Sequence, residues 1–146
     1  MDKNLKAKIL LVDDEEEFIK TLADRLEVRG MTVTGATRGV DAVNLVNEEK
    51  FDVIVLDLAM PGMDGLETLQ RIKEKDPDAE IIMLSGHGTI KTSIEAIKLG
   101  AEDFMEKPVD LSELLEKIAE AKEKRFLVLQ KQAKKEIESI LHSKPW

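Results

Sequence analysis

Five polar side chains in this 146-residue chain end or directly follow short apolar runs. Asp13 and Asp14 follow Ile9-Leu10-Leu11-Val12, and Asp57 follows Val53-Ile54-Val55-Leu56. Ser85 follows Ile81-Ile82-Met83-Leu84, and Lys107 comes just after Phe104-Met105. Each has an ordinary reading by itself. An Asp behind a strand is most often a helix cap or turn former, a Ser a turn residue, and a Lys a solvated charge. Gathered at one rim, they describe something else. Three converging carboxylates repel one another and hold on to protons unless a cation joins them. Hard divalent cations take oxygen ligands, and Mg²⁺ takes one or two carboxylates with phosphate oxygens while keeping waters. Lys107 would add a second, fixed positive charge. Such a site suits a divalent cation and an anion held together, which is most of what phosphoryl transfer requires. One carboxylate would then serve as nucleophile and carry an aspartyl phosphate.

Whether the five meet depends on the elements that carry them. A fifth apolar run, Met31-Thr32-Val33-Thr34, completes a set of five strand candidates with Phe104-Met105 as the shortest. Between the runs lie helical spacings: Phe18, Leu22 and Leu26; Val40, Val43 and Val46; Leu66, Leu69 and Ile72; Ile90, Ile94 and Ile97, with Gly100 placed to end the last. Strand–helix alternation of this kind predicts βαβ units, a parallel sheet and helices on both faces. The first, third and fourth runs are apolar throughout, as strands covered on both faces are. The second alternates with threonine and the fifth is short and flanked by acids, so both read as edges. That pattern selects the flavodoxin-like doubly wound order 2-1-3-4-5, whose ligand crevice lies at the carboxyl ends of strands 1 and 3. The five polar residues all fall at that end.

From Asp110 to Ser143 the chain has neither Gly nor Pro, and Asp110 with Glu113 has the spacing of a helix start. Leu111, Leu114, Leu115 and Ile118 would pack on the sheet as a fifth helix, and Phe126, Leu129, Ala133, Ile137 and Ile140 continue the stripe. Fully helical, this segment spans ~51 Å, too long to lie against a five-stranded sheet, so its second half must project or fold back. Residues 1–121 and 122–146 therefore read as a domain and a helical extension.

Charge separates the same two parts. Residues 1–121 hold 15 basic and 27 acidic side chains, net −12, and residues 122–146 hold 7 and 3, net +4. The overall −8 argues against a general binder of nucleic-acid backbones. The apolar runs are far shorter than the ~20 residues of a spanning helix. No secretory leader pattern opens the chain, and the absence of cysteine excludes disulfides, thiol catalysis and thiolate-held zinc. A cytoplasmic location is expected.

The landmarks Leu11-Val12-Asp13-Asp14-Glu15, Asp57-Leu58-Ala59-Met60-Pro61-Gly62-Met63-Asp64-Gly65, Ser85-Gly86, Gly100-Ala101 with Phe104, and Lys107-Pro108 resemble a response regulator receiver domain of bacterial two-component signalling. The match covers about residues 7–121. The resemblance implies that Asp57 accepts a phosphoryl group from a histidine kinase, a phosphotransfer protein or a small donor such as acetyl phosphate. It implies Mg²⁺ (or Mn²⁺) bound by Asp14 directly, by Asp13 through water, and by the Asp57 carboxylate and the Ala59 backbone carbonyl. Lys107 is expected to pair with Asp57 and then with the phosphoryl oxygens. The Lys107–Pro108 peptide bond is expected to be cis. Ser85 is expected to bond the phosphoryl group, and Phe104 to turn inward as Ser85 moves. That movement would switch the surface of the fourth helix, fifth strand and fifth helix. Packing on an edge strand remains a rival reading for Phe104, and a solvent-exposed loop residue is the rival for His87. Ala59 and His87 stand where family members tune phosphate lifetime, and Gly86 replaces a more usual Ala.

Ser85-Gly86-His87-Gly88-Thr89-Ile90 and Ala96 to Phe104 look most like receivers of sigma-54-dependent activators, in which an extended fifth helix dimerises the receiver. Homodimerisation is expected here through that helix or through the fourth-helix, fifth-strand and fifth-helix surface. A solvated linker helix and a weakly basic nucleic-acid surface stay open for 122–146. No P-loop, DNA-binding domain or membrane contact is expected. An aspartyl-phosphate phosphatase would need a second acid where Ala59 stands. An FMN carrier would need a small-residue loop where Asp13 to Glu17 place five acids, and an inert scaffold would have lost the acidic site. A phosphoacceptor switch, rather than an enzyme, is the reading that remains.

Overall fold

The three all-apolar runs form the interior of the sheet, as their composition requires. The computed structural model describes residues 6–58, 64–86 and 90–143. In chain order the elements are β1 (Lys8–Val12), α1 (Glu16–Glu27), β2 (Thr32–Ala36), α2 (Gly39–Glu48), β3 (Val53–Asp57), α3 (Gly65–Lys75), β4 (Ile81–Ser85), α4 (Ile90–Lys98), β5 (Asp103–Glu106) and α5 (Leu111–Ser143). The strands are parallel in the order β2-β1-β3-β4-β5, so β2 and β5 are the edges.

Side-chain alternation along the strands divides the core in two. Leu10, Val12, Ile54, Leu56, Ile81 and Met83 pack on one face against α2, α3 and α4. Ile9, Leu11, Val53, Val55, Ile82 and Leu84 pack on the other against Leu22 and Leu26 of α1 and Leu114, Ile118 and Ala121 of α5. Both faces are covered, which is why these strands carry no polar alternation.

Some boundaries differ from the sequence reading. β2 runs Thr32–Ala36 rather than 31–34, because Met31 is buried ahead of the strand and pairing with β1 continues to Ala36. The fourth helix is present, but its isoleucine stripe does not face the core. Ile90, Ile94 and Ile97 are exposed, Ile90 at 80%, while Ala96 is the buried residue of α4. Ala96 lies one residue, or about 100°, round the helix from Ile97. Gly100 ends α4 as expected, with a left-handed φ of 109° and Ala101 N donating to Ala96 O at 3.0 Å.

α5 is one continuous helix of 33 residues, about 50 Å long. Its start is capped by Asp110, whose Oδ1 accepts from Glu113 N at 3.3 Å. It projects rather than folding back: after Arg125, no described residue of the helix is buried. Arg125 itself is buried and pairs with Asp76 at 3.0 Å, and its Nη1 donates to Asp78 O at 2.9 Å. Docking on the sheet unit thus continues past Ala121. Among the described residues, no helix is long and apolar enough to cross a membrane.

Candidate acidic site at the carboxyl edge of the sheet

Parallel strands deliver their last residues to one rim, and three neighbouring strand ends build the site. Asp57 is the final residue of β3, 5% exposed, and Ser85 is the final residue of β4, also buried. Asp13 follows β1, where its backbone N–H donates to Ala36 O at 3.0 Å and continues the ladder to β2. Asp14 beside it is exposed. Lys107 follows β5, its backbone N–H donating to Ser85 O at 2.8 Å, and the Lys107–Pro108 bond is cis.

The backbone behind Asp57 is held from two sides. Leu58 N donates to Leu84 O, and Gly65 N donates to Leu58 O, both at 2.8 Å. Asp64 starts α3 by accepting from Glu67 N at 2.8 Å, a cap worth ~1 kcal/mol, and so fixes where Gly65 lies. A Cβ at Gly65 would stand 2.4 Å from Leu58 O and 2.5 Å from Asp57 O. Glycine here is therefore a requirement of close backbone approach.

Asp13, Asp14 and Asp57 each offer a carboxylate oxygen, all within 4.8 Å of one another. Both oxygens of Asp13 are engaged: Oδ1 accepts from Glu15 N at 2.9 Å and Oδ2 from Lys107 Nζ at 2.6 Å. Lys107 Nζ also reaches Glu15 Oε1 at 3.3 Å and lies over the Phe18 ring, 4.3 Å from its centroid. Burial works against the Lys107 charge. The hydrogen bond and charge of Asp13, the charge of Asp57 and the Glu15 hydrogen bond outweigh it, so the pKa is raised above the ordinary lysine value. One ammonium against three clustered carboxylates and Glu15 leaves an excess of negative charge. An all-oxygen donor set of that kind fits a hard divalent cation.

The structure therefore brings together Asp13, Asp14, Asp57 and Lys107, with Ser85 on the adjoining strand end. Lys107 hydrogen-bonds to Asp13 and Glu15, and the charge of Asp57, its expected partner from the sequence, also acts on it. Ala59 and His87 lie outside the described residues. Phe104 is partly buried on β5, in register with Met83 of β4, and packs with the core on the α2–α4 face. Ser85, two residues beyond Met83, projects to that same face. Sequence reasoning includes Glu15 and Gly65 only within longer motifs and Phe18 only in a helical spacing, and gives none of the three a role at the site. Glu15 sits within a run of five acids and Phe18 within an ordinary apolar spacing, so neither announces Lys107, 92 residues after Glu15, as its partner.

Comparison with known proteins agrees with this geometry. The family described as the response regulator receiver domain matches residues 9–119. The C4-dicarboxylate transport transcriptional regulatory protein DctD of Rhizobium meliloti is 34% identical over 122 residues, covering 84% of this chain and 26% of DctD. A response regulator receiver domain protein of Clostridium thermocellum superposes with a TM-score of 0.80 at 32% identity, over 84% of this chain and 98% of that one. A response regulator protein from Burkholderia pseudomallei, solved with a phosphorylated aspartic acid, a calcium ion and citrate, gives a TM-score of 0.73 at 32% identity, over 90% of this chain and 74% of that one. The chain spans about a quarter to a half of the length of the curated relatives it matches. With its sheet order and its rim of acids, the chain belongs to the family of response regulator receiver domains of two-component signalling.

Proposed function

We propose that this receiver is a phosphoryl-accepting switch with Asp57 as the acceptor. The observation that carries the reading is the cluster of three carboxylates within 4.8 Å, with Lys107 hydrogen-bonded at its edge. An Asp57 carboxylate oxygen attacks the phosphorus of a phosphohistidine on a kinase or phosphotransfer protein, or of acetyl phosphate. The new bond is P–O to Asp57, and the bond to the donor breaks with its electron pair leaving on the donor. Mg²⁺ (or Mn²⁺) held by Asp13, Asp14, Asp57 and the Ala59 carbonyl would supply charge neutralisation at the phosphoryl oxygens. Lys107 then contributes its ammonium to those oxygens, and the Ser85 hydroxyl donates from the neighbouring strand end. The related Burkholderia structure with a phosphorylated aspartic acid supports this chemistry at this fold.

The output follows from the shared face of Ser85 and Phe104. A hydroxyl drawn toward the phosphoryl group vacates space on the α4 side of β4, and Phe104 turns in to fill it. That reshapes the α4-β5-α5 surface, a two-state element biased by one local charge event. Residues 1–121 act as the receiver and 122–146 as an extension, and the switched surface or the α5 extension joins two copies as a homodimer. The chain acts in the cytoplasm as a modified acceptor rather than as a turnover enzyme.

The test is intact mass after incubation with acetyl phosphate, with and without Mg²⁺, on the wild type and on Asp57→Ala. A Mg²⁺-dependent, hydroxylamine-labile adduct of one phosphoryl group in the wild type alone is the expected result. No adduct, or one retained by Asp57→Ala, overturns the assignment.

A further inference from the structure

The partners of Lys107 share an origin that the acceptor chemistry does not require. Asp13, Glu15 and Phe18 come from one six-residue stretch, where β1 ends and α1 begins. Asp13 belongs to the acidic cluster, but Glu15 and Phe18 do not. Glu15 is the extended residue just before α1 and Phe18 lies in its first turn, and both meet the ammonium, one through a carboxylate and one through a ring. Glu15 is exposed, whereas the Lys107 side chain is only 16% exposed and lies with Phe18, Leu22 and Pro108 along a groove of about 360 Å³.

Resting on the reading of Asp57 as acceptor, we infer that Glu15 and Phe18 form a cradle that parks the Lys107 ammonium on the Asp13 side of the rim in the phosphoryl-free protein. They are positioning residues. To reach phosphoryl oxygens on Asp57, Lys107 exchanges the Glu15 carboxylate and the Phe18 ring for the new anion. The strength of the cradle then sets how readily the phosphorylated state forms and how long it lasts. Nothing covalent changes at Lys107, and its proton stays in place throughout. Loosening the cradle favours the phosphorylated state, whereas a cradle that held Lys107 in its productive position would have the opposite effect.

The test is the affinity of the full chain for beryllofluoride, a phosphoryl analogue, in the presence of Mg²⁺, for Glu15→Gln, Phe18→Leu and each combined with Lys107→Met. A partly exposed cation–π contact predicts about two- to fivefold tighter binding for Phe18→Leu. An exposed ion pair predicts an increase of up to about fivefold for Glu15→Gln. Both gains are expected to vanish in the Lys107→Met background, where a general charge effect of Glu15 would persist. Weakened or unchanged binding, or gains that survive Lys107→Met, overturn the inference. A second readout is the NMR signal of the Lys107 ε-methylene, shifted upfield by the Phe18 ring in the phosphoryl-free protein and released on adding beryllofluoride. Absence of that shift in the wild type overturns the cradle. A wild type that shows the shift but binds no beryllofluoride overturns the acceptor reading, and with it the cradle's functional role.

Discussion

Replacing Arg125 by Ala should destabilise the whole receiver, although the residue lies beyond the last turn of α5 that covers the sheet. The Arg125 and Asp76 side chains are 6% and 8% exposed and 3.0 Å apart, and the guanidinium also donates to Asp78 O. Removing the arginine leaves a buried carboxylate without its counter-charge, a change that costs about 3–5 kcal/mol where such pairs have been broken. Ala is the best helix former, so no loss of helix propensity offsets or inflates the number. Against a total stability of ~5–15 kcal/mol this is a large share. With a urea slope of ~1–3 kcal/mol per molar, the midpoint should fall by at least ~1 M. The control is Arg71→Ala, which breaks the exposed Arg71–Glu67 pair and should cost no more than ~0.5 kcal/mol. Adding Asp76→Asn to Arg125→Ala removes the stranded charge and should recover part of the loss. A loss below ~1 kcal/mol, or a double variant no better than the single, would refute the reasoning from buried charge.

Other consequences are as direct. Gly65→Ala sets a Cβ against the carbonyl oxygens of Asp57 and Leu58, so the backbone at Asp57 must shift; a stability loss of ~1–3 kcal/mol and, on the proposed function, slower adduct formation are expected by urea titration and intact mass. Glu80 is buried at the base of β4, and desolvation, then its hydrogen bond to Glu102, pushes its pKa up to about 7. The folded chain therefore holds that proton more tightly than the unfolded one. Its contribution to stability is complete below the ordinary carboxylate pKa of about 4.5, is lost as pH rises toward about 7, and changes little beyond. Urea midpoints across that range should show the decline in the wild type and not in Glu80→Gln. If the α5 extension joins two copies, Ile137→Glu with Ile140→Glu should give monomers by sedimentation where the wild type gives dimers, since both isoleucines are exposed in the single chain.

Much of this could be read before the structure, for identifiable reasons. Sheet order follows from which runs are wholly apolar, because burial on both faces leaves no place for polar alternation. The convergence of Asp13, Asp57, Ser85 and Lys107 follows from order and direction alone, since parallel strands send every carboxyl end to one rim. What escaped depends on partners distant in sequence. The Ile90, Ile94 and Ile97 spacing identifies an apolar face but not what covers it, and the residue that does pack inward, Ala96, is too small to mark a period. Arg125 sits in a basic run that reads as solvent-facing; only its meeting with Asp76, 49 positions earlier, buries it. Lys107 reads as a rim cation from the sequence, yet its choice among several carboxylates is decided by where the turn between β1 and α1 stands.

The unbroken helix, buried no further than Arg125 and touching the body beyond it through the exposed Gln132–Asp78 hydrogen bond, is also a mechanical amplifier. The 18 residues that follow Arg125, up to Ser143, form an arm of about 27 Å. A tilt of only ~10° at the base, within the small rearrangements expected of packed helices, carries the tip about 5 Å. That displacement approaches one helical pitch of about 5.4 Å. An event too small to see at the root would arrive at the far end as a full step, large enough to decide which residues of a neighbouring surface come opposite one another.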